Sequence, residues 1–128
     1  MPWLLLPHTN CFSAGELHRG AVGLEESETA ACCAVESVEE CIERCRGYSK
    51  DGLPCSAVTI SRRGPPFDCF RRAEVQIELC ETGVDMGESF DTWLSPEQRP
   101  AYDRTVDRLE EEVEQVRSEI REALAKVF

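Results

Sequence analysis

The chain has 128 residues, and its 25 acidic and 14 basic side chains give a formal net charge of -11. This length predicts a single domain, and the acidic balance disfavours general binding to nucleic acid or to an anionic membrane. No run of residues approaches the ~20 apolar positions that a membrane-spanning helix needs.

Eight cysteines in so short a chain favour a disulfide framework. Small domains with a limited hydrophobic core use such bonds in oxidising environments. We therefore expect an oxidising compartment, such as the extracellular space, the secretory pathway or an organellar lumen like that of the thylakoid, and not the reducing cytosol.

Residues 1–10 are expected to form an extension in front of a cysteine-rich module. The opening residues lack a basic region, their apolar stretch is too short for a signal sequence, and no cleavage site of small residues follows. The sequence is therefore expected to be a processed form or a part of a longer precursor.

Residues 37–47 have the signals of one short helix. Ser37 can cap the first turn while Glu40 reaches back to the cap amide, as in a capping box, and Gly47 can end the helix. The apolar residues of this segment are spaced as one helix face: Val38, Cys41, Ile42 and Cys45. Both of its cysteines are therefore expected to face inward from adjacent turns.

Two extended segments are expected after this helix. Cys55 opens a short run rich in β-branched residues, and Cys69 opens a returning strand after the turn at residues 62–66. A helix lying across this hairpin would place its two cysteines at bonding distance from Cys55 and Cys69.

Four arginines flank the predicted turn, and the hairpin is expected to gather them into one basic corner: Arg62, Arg63, Arg71 and Arg72. Such a corner predicts a contact with an anion or with an acidic partner. A solvated turn whose arginines compensate nearby acids is the simpler interpretation.

Several motifs in residues 11–94 occur together in one known family. They are an opening Cys11-Phe12, the helix S-x-E-E-C-x-x-x-C, a strand beginning C-S-A-V-T-I, a hairpin return C-F and a late aromatic strand at residues 90–93. With these motifs the segment resembles a PAN/apple module. The resemblance implies an α+β fold, in which a small antiparallel sheet is crossed by one helix.

The resemblance also implies disulfides between Cys41 and Cys69 and between Cys45 and Cys55. The outer bond of the family would join Cys11 to Cys80. Cys80 precedes the last strand, however, and a cysteine doublet is additional to the family pattern. Other pairings therefore stay open among four cysteines: Cys11, Cys32, Cys33 and Cys80.

Residues 95–128 predict a long amphipathic helix. Ser95 can cap it and Pro96 suits its first turn, although Pro100 can delay the regular helix. Apolar residues then repeat as the a and d positions of a heptad pattern: Tyr102, Val106, Leu109, Val113, Val116, Ile120, Ala123 and Val127.

An exposed seam of this kind predicts a partner. We expect burial against another polypeptide for five of these residues: Val106, Leu109, Val113, Val116 and Ile120. The partner could be a second copy, paired through Glu112 and Arg117 as a coiled coil, or a larger assembly. Folding of the stripe back onto its own module is the third interpretation.

The sequence gives little support for catalysis. Neither His8 nor His18 has a nucleophile or carboxylate nearby that would form a triad, and Cys41-x3-Cys45 supplies one metal-binding knuckle without a second. We therefore expect no enzyme activity, no cofactor and no metal.

The leading hypothesis is a protein–protein interaction module that docks through its C-terminal helix. One alternative is a structural accessory subunit of a large lumenal or membrane-peripheral complex, including a photosynthetic one. The other is an extracellular carbohydrate-binding module.

Overall fold

The computed structural model describes residues 2–27, 29–83 and 89–127. They form an α+β fold with an antiparallel sheet, one short helix and a long C-terminal helix. The helices are Val38–Cys45 (α1) and Arg99–Val127 (α2), and 3-10 turns lie at Ile77–Leu79 and Pro96–Gln98. The strands are Leu4–Leu6 (β1), Thr9–Asn10 (β2), Phe12–Ala14 (β3), Leu17–Arg19 (β4), Val22–Gly23 (β5), Cys33–Val35 (β6), Ser49–Lys50 (β7), Leu53–Pro54 (β8), Ala57–Ser61 (β9), Phe67–Ala73 (β10), Glu81–Thr82 (β11) and Phe90–Leu94 (β12).

The main sheet is built around β9, in the order β1-β12-β9-β10-β5, and β6 also pairs with β10. β9 lies between β12 and β10, and its side chains from Ala57 to Ile60 are buried, so both faces of the sheet are covered at this strand. Val58 and Ile60 belong to the core cluster beneath α1. Thr59 points to the opposite face, because side chains alternate along a strand.

Helix α1 covers one face of the sheet and begins as the sequence predicts. The Ser37 hydroxyl accepts a hydrogen bond from the Glu40 amide at 3.1 Å. The Glu40 carboxylate accepts one from the amide of Glu36 at 2.9 Å, one residue earlier than a capping box would place it. Cys41 and Cys45 are fully buried, so the predicted inward face is confirmed.

The opposite face of the sheet is covered by the N-terminal segment and held by two threonines. The hydroxyls of Thr59 and Thr92 lie 2.8 Å apart. Thr92 donates to the carbonyl of Thr9 at 3.0 Å, and the Thr59 hydroxyl lies 3.5 Å from the carbonyl of Cys11. These contacts give the backbone carbonyls of Thr9 and Cys11 hydrogen-bond partners on the buried face of the sheet.

Residues 1–10 were expected to form an extension before the module, and the strands of this segment pair with later strands of the chain. β1 pairs with β12 in antiparallel register, with Leu5 opposite Trp93, and β2 pairs with β11. The first residues therefore supply an edge strand of the main sheet.

All eight cysteines are paired, and four disulfides of this kind indicate an oxidising environment. The bonds are Cys11–Cys80, Cys32–Cys33, Cys41–Cys69 and Cys45–Cys55. Three of them are the pairs that the family resemblance implied, and the doublet bonds to itself.

The four bonds constrain the unfolded chain to very different extents. Their sequence separations are 69, 28, 10 and 1 residues. By chain entropy the first three contribute roughly 4, 4 and 3 kcal/mol, whereas a bond between neighbours closes almost no loop and contributes under ~1 kcal/mol. The Cys32–Cys33 bond is therefore not a significant staple of the fold.

Helix α2 starts against the module and then leaves it. Ala101, Tyr102 and Thr105 line a small cleft together with Ile77 and Leu94, and Arg108 lies 3.7 Å from the Glu78 carboxylate. Almost every residue from position 110 onward is exposed. At ~1.5 Å per residue, the exposed half extends roughly 27 Å beyond the module.

No helix within the described ranges combines the length and the apolar character that a membrane crossing requires.

Candidate functional site: an exposed helix face and a neighbouring cleft

The most conspicuous exposed surface is the outer half of the heptad seam. Its residues, called here the distal seam, are Val113, Val116, Ile120, Leu124 and Val127, and each is between 50% and 76% exposed. Large apolar side chains grouped on one face of a soluble protein mark an interaction surface more often than isolated ones do.

The structure divides the five residues that the sequence predicts as a docking face. Val113, Val116 and Ile120 are exposed, whereas Val106 and Leu109 are partly buried. Three of the five, Val106, Leu109 and Val113, line a shallow groove of about 460 Å³ along the helix. The groove is bordered by Glu110, Glu114 and Arg117. Leu124 adds to the distal seam from outside the heptad pattern, because it occupies an e position beside the a and d residues.

Charges beside the distal seam are mostly acidic. Residues 110–127 contain six acidic and three basic side chains. One of those bases, Arg121, is already bound at 2.8 Å to the Glu114 carboxylate of the same helix. An acidic border of this kind complements a partner that carries basic residues beside its own apolar stripe.

A second concave site lies beside the end of α1. This cleft has a volume of about 830 Å³, within the ~300–1,000 Å³ range of ligand pockets. Its walls come from the N-terminal segment, the turn after α1, the β7–β8 hairpin and the start of the 3-10 turn before α2. The lining includes two aromatic rings, Trp3 and Tyr48, and two carboxylates, Glu74 and Glu97.

Two serines that line this cleft have buried hydroxyls without a hydrogen-bond partner among the described residues. Ser56 and Ser95 are only 7% and 3% exposed. Their backbones are joined, since the Ser95 amide donates to the Ser56 carbonyl at 2.9 Å. Buried hydroxyls are normally hydrogen-bonded. The hydroxyls of Ser56 and Ser95 are therefore unused hydrogen-bonding groups in the wall of the cleft.

Tyr48 is held by two direct contacts with the module. The Arg71 guanidinium lies 3.5 Å from its centroid, and the hydroxyl donates to the Leu24 carbonyl at 3.4 Å. Arg71 is itself fixed by Glu25 through two hydrogen bonds, at 2.8 and 3.1 Å. The aromatic wall is therefore set in place before any ligand arrives.

The predicted single basic corner does not form. Arg71 and Arg72 are paired with Val58 and Ala57 at the base of the β9–β10 hairpin, while Arg62 lies at its tip, 3.7 Å from the Asp91 carboxylate. Neighbours on a strand also point to opposite faces. The exposed Arg63 lies in the turn at the tip, away from both base arginines, and Arg71 binds Glu25.

Arg72 is a buried cation. Its guanidinium stacks 5.0 Å from the Phe70 ring. Burial lowers the pKa of Arg72 to about 10, and the negative charge of Glu25 offsets part of that effect. Arg72 therefore belongs to the packing of the sheet and is not available as an anion contact.

Both histidines take part in local structure. His8 donates its amide hydrogen to the Asp91 carboxylate at 3.0 Å, and its ring contacts Arg62. The Nδ1 atom of His18 accepts a hydrogen bond from the amide of Gly20 at 3.1 Å.

Three cysteine sulfurs form a cluster that the spacing of the cysteines did not reveal. The sulfur atoms of Cys32, Cys33 and Cys69 all lie within 4.8 Å of one another. Strand pairing explains this proximity, because Cys33 on β6 lies directly opposite Cys69 on β10.

Comparison with family models, with curated proteins and with solved structures finds no significant match to this chain.

Proposed function

We propose that this chain is a non-enzymatic protein-interaction module of an oxidising compartment, which docks through the distal seam of α2 onto an amphipathic helix of another protein. The observation that supports this proposal is the exposure of five large apolar side chains on one face of a helix that has already left its own module.

The energy available from the distal seam is moderate. Full burial of a large aliphatic side chain is worth ~1.5–3 kcal/mol, and these residues are already about half covered. Five of them would therefore contribute roughly 4–8 kcal/mol, which is similar to the ~4–15 kcal/mol cost of association. Stable docking thus also needs polar and charged contacts beside the stripe.

Those flanking contacts favour a different protein over a second copy. In a parallel pair of copies, Glu112 facing Arg117 is the one attractive pair between g and e positions, and Glu110 faces Thr105. Each copy also carries a net charge of -11, which opposes self-association at low salt. A helix with lysines or arginines at its e and g positions fits this face better.

The module itself is proposed to be PAN/apple-like. Its sheet crossed by α1, together with the Cys41–Cys69 and Cys45–Cys55 bonds, supports this assignment. By that likeness, the module presents binding surfaces and has no chemistry of its own.

The docking proposal is tested with synthetic heptad helices. Two peptides with the same Leu/Val seam carry either lysine or glutamate at all e and g positions, and their binding to the intact disulfide-bonded chain is measured by fluorescence anisotropy. We expect binding of the lysine peptide, weakened by salt, and no binding of the glutamate peptide. Failure of both peptides, with a monomeric chain at every concentration, would contradict docking through this face.

A pair of variants separates the seam from the rest of the helix. Val113→Asp with Val116→Asp should abolish binding of the lysine peptide while the module stays folded. The control introduces the same two charges at f positions, as Ser118→Asp with Ala125→Asp, and should keep most of the binding. Loss of the module's fold in the first variant would mean that the seam is an internal core element.

A structural accessory subunit would use the same face permanently. Purification of the native chain distinguishes the two cases, because a permanent subunit stays in a stoichiometric complex at high salt, whereas a docking module dissociates.

Carbohydrate binding is the second candidate, and the cleft beside α1 favours it. A pyranose ring can stack on Trp3 or Tyr48 while its hydroxyls bond to Glu74 and Glu97. Titration calorimetry with a panel of neutral oligosaccharides tests this candidate, and Tyr48→Ala should remove any binding. Binding that survives both Tyr48→Ala and Trp3→Ala would place the sugar elsewhere.

A further inference from the structure

The sulfur cluster brings two disulfides side by side. β6 and β10 are antiparallel, with Cys33 directly opposite Cys69, and the amide of Cys32 donates to the Cys69 carbonyl at 2.8 Å. The sulfurs of these three residues lie within 4.8 Å of one another. Since Cys69 is bonded to Cys41, four sulfur atoms meet at one place beneath α1.

The two bonds differ in how well a solvent thiol can reach them. Cys32 and Cys33 are partly exposed, whereas Cys41 and Cys69 are fully buried. Thiol–disulfide exchange begins when a thiolate attacks a disulfide sulfur, so the accessible bond reacts first.

The two bonds also differ in what they hold together. The Cys32–Cys33 bond joins neighbours and constrains almost no chain, whereas Cys41–Cys69 closes 28 residues and ties α1 to the sheet. Opening of the first bond should therefore leave the fold intact, and the module can pass through that state without unfolding.

We propose that Cys32–Cys33 is a thiol–disulfide exchange site for dithiol reductants, and that it passes the exchange to the buried Cys41–Cys69 bond. In the first step a thiolate of the external dithiol attacks one sulfur of the pair, and its second thiol resolves the mixed disulfide. Two electrons and two protons pass to Cys32 and Cys33, and the reductant leaves as its own disulfide.

The second step is an internal exchange without net change in oxidation state. The Cys33 thiol loses its proton and its thiolate attacks the sulfur of Cys69. A Cys33–Cys69 bond forms, the Cys41–Cys69 bond breaks, and Cys41 leaves as a thiolate that takes up a proton. Directly opposite residues of an antiparallel pair have Cβ atoms about 4.5–5.5 Å apart, so a small approach of the strands is sufficient.

The product is a second disulfide isomer of the same module. β6 becomes covalently joined to β10, while α1 keeps its other bond, Cys45–Cys55. Cys32 and Cys41 then carry the two free thiols. The vicinal pair thereby gives a buried structural bond a route to redox partners in solution.

The test follows the order in which thiols appear. The oxidised chain is treated under native conditions with limiting dithiothreitol, quenched with acid, labelled with N-ethylmaleimide and mapped by non-reducing mass spectrometry. We expect label first on Cys32 and Cys33, and then a species with Cys33 joined to Cys69 and label on Cys32 and Cys41. Label on Cys45 and Cys55 before Cys32 and Cys33, or the absence of any Cys33–Cys69 peptide, would overturn the proposal.

Two variants sharpen the test. In Cys32→Ser, Cys33 has no bonding partner and can attack Cys69. The single free thiol should therefore be found on Cys33 in some molecules and on Cys41 in others, without any added reductant. In Cys32→Ser with Cys33→Ser, reduction of Cys41–Cys69 should slow by roughly tenfold or more, because the accessible route is gone. Near-UV circular dichroism verifies that this variant is folded. An unchanged rate of Cys41 labelling in the folded double variant would show that the vicinal pair is not the route, and if the variant does not fold, the limiting-reductant experiment on the natural chain decides.

Discussion

The module and the outer half of α2 solve the problem of apolar side chains in opposite ways. In the module, Val58 is fully enclosed between α1 and the sheet, and three non-vicinal disulfides restrict the chain around it. In α2, Val116 lies on the apolar face of an amphipathic helix, yet about half of its surface faces solvent. The module therefore buries its apolar side chains by itself, whereas burial of the distal seam depends on a contact with another molecule.

The strongest test of this difference in burial is to place the same charge in both regions. Val58→Asp should unfold the module, because an unpaired buried carboxylate costs more than ~4 kcal/mol. Val116→Asp should change the free energy of unfolding by less than ~0.5 kcal/mol, since its carboxylate stays hydrated. Chemical denaturation monitored by near-UV circular dichroism measures both. Equal destabilisation would mean that the distal seam is buried in the isolated chain.

The disulfides provide the next contrast, this time within the module. Cys41→Ala with Cys69→Ala should lower the free energy of unfolding by roughly 3–5 kcal/mol. Cys32→Ala with Cys33→Ala should lower it by less than ~1 kcal/mol, because the bond between neighbours closes almost no loop. A loss of more than ~2 kcal/mol in the second variant would contradict this ranking.

The third prediction concerns Arg72, whose buried charge should lower the free energy of unfolding. Burial lowers its pKa to about 10, so above pH 10 the folded state loses the proton before the unfolded state does. Stability should therefore rise with pH above about 10 relative to Arg72→Met, by roughly 1–3 kcal/mol. Below pH 10 the full cost of burying the charge is present, and Arg72→Met should be neutral or stabilising. A difference in the free energy of unfolding between the two proteins that stays constant across this pH range would contradict the assignment.

The smallest expected difference concerns the two helix starts. Ser37→Ala should cost about 1 kcal/mol, because the hydroxyl accepts from the Glu40 amide. Ser95→Ala should cost nothing or stabilise slightly, since the Ser95 hydroxyl makes no cap bond and is buried without a partner in the described chain. Urea denaturation resolves these values, and a larger loss for Ser95→Ala would reveal a partner for its hydroxyl.

Local signals in the sequence were sufficient for α1. Its cap, its stop and its inward cysteines depend on residues within one or two turns of each other, and the structure has all three. The long C-terminal helix also followed from periodicity, whereas the α+β architecture was expected from the family resemblance. By contrast, β1 could not be predicted, because Leu5 pairs with Trp93, which is distant in sequence.

Two features of the candidate sites depended on strand register. The error at the arginines was avoidable, since Arg71 and Arg72 are adjacent in a predicted strand and must point to opposite faces. The sulfur cluster was not accessible in this way. The proximity of Cys33 and Cys69 follows from the pairing of β6 with β10, and nothing in the cysteine spacing specifies that pairing.

The pairing of β1 with β12 has a consequence for the order of events during synthesis. The first strand of the chain must wait, without its hydrogen-bonding neighbour, until residues 90–94 have been made. Contacts so distant in sequence form slowly, and an unpaired edge strand is open to wrong partners in the meantime. We therefore expect chaperones and oxidoreductases to meet the nascent module before its sheet closes, at a stage when the apolar face of α2 has yet to appear.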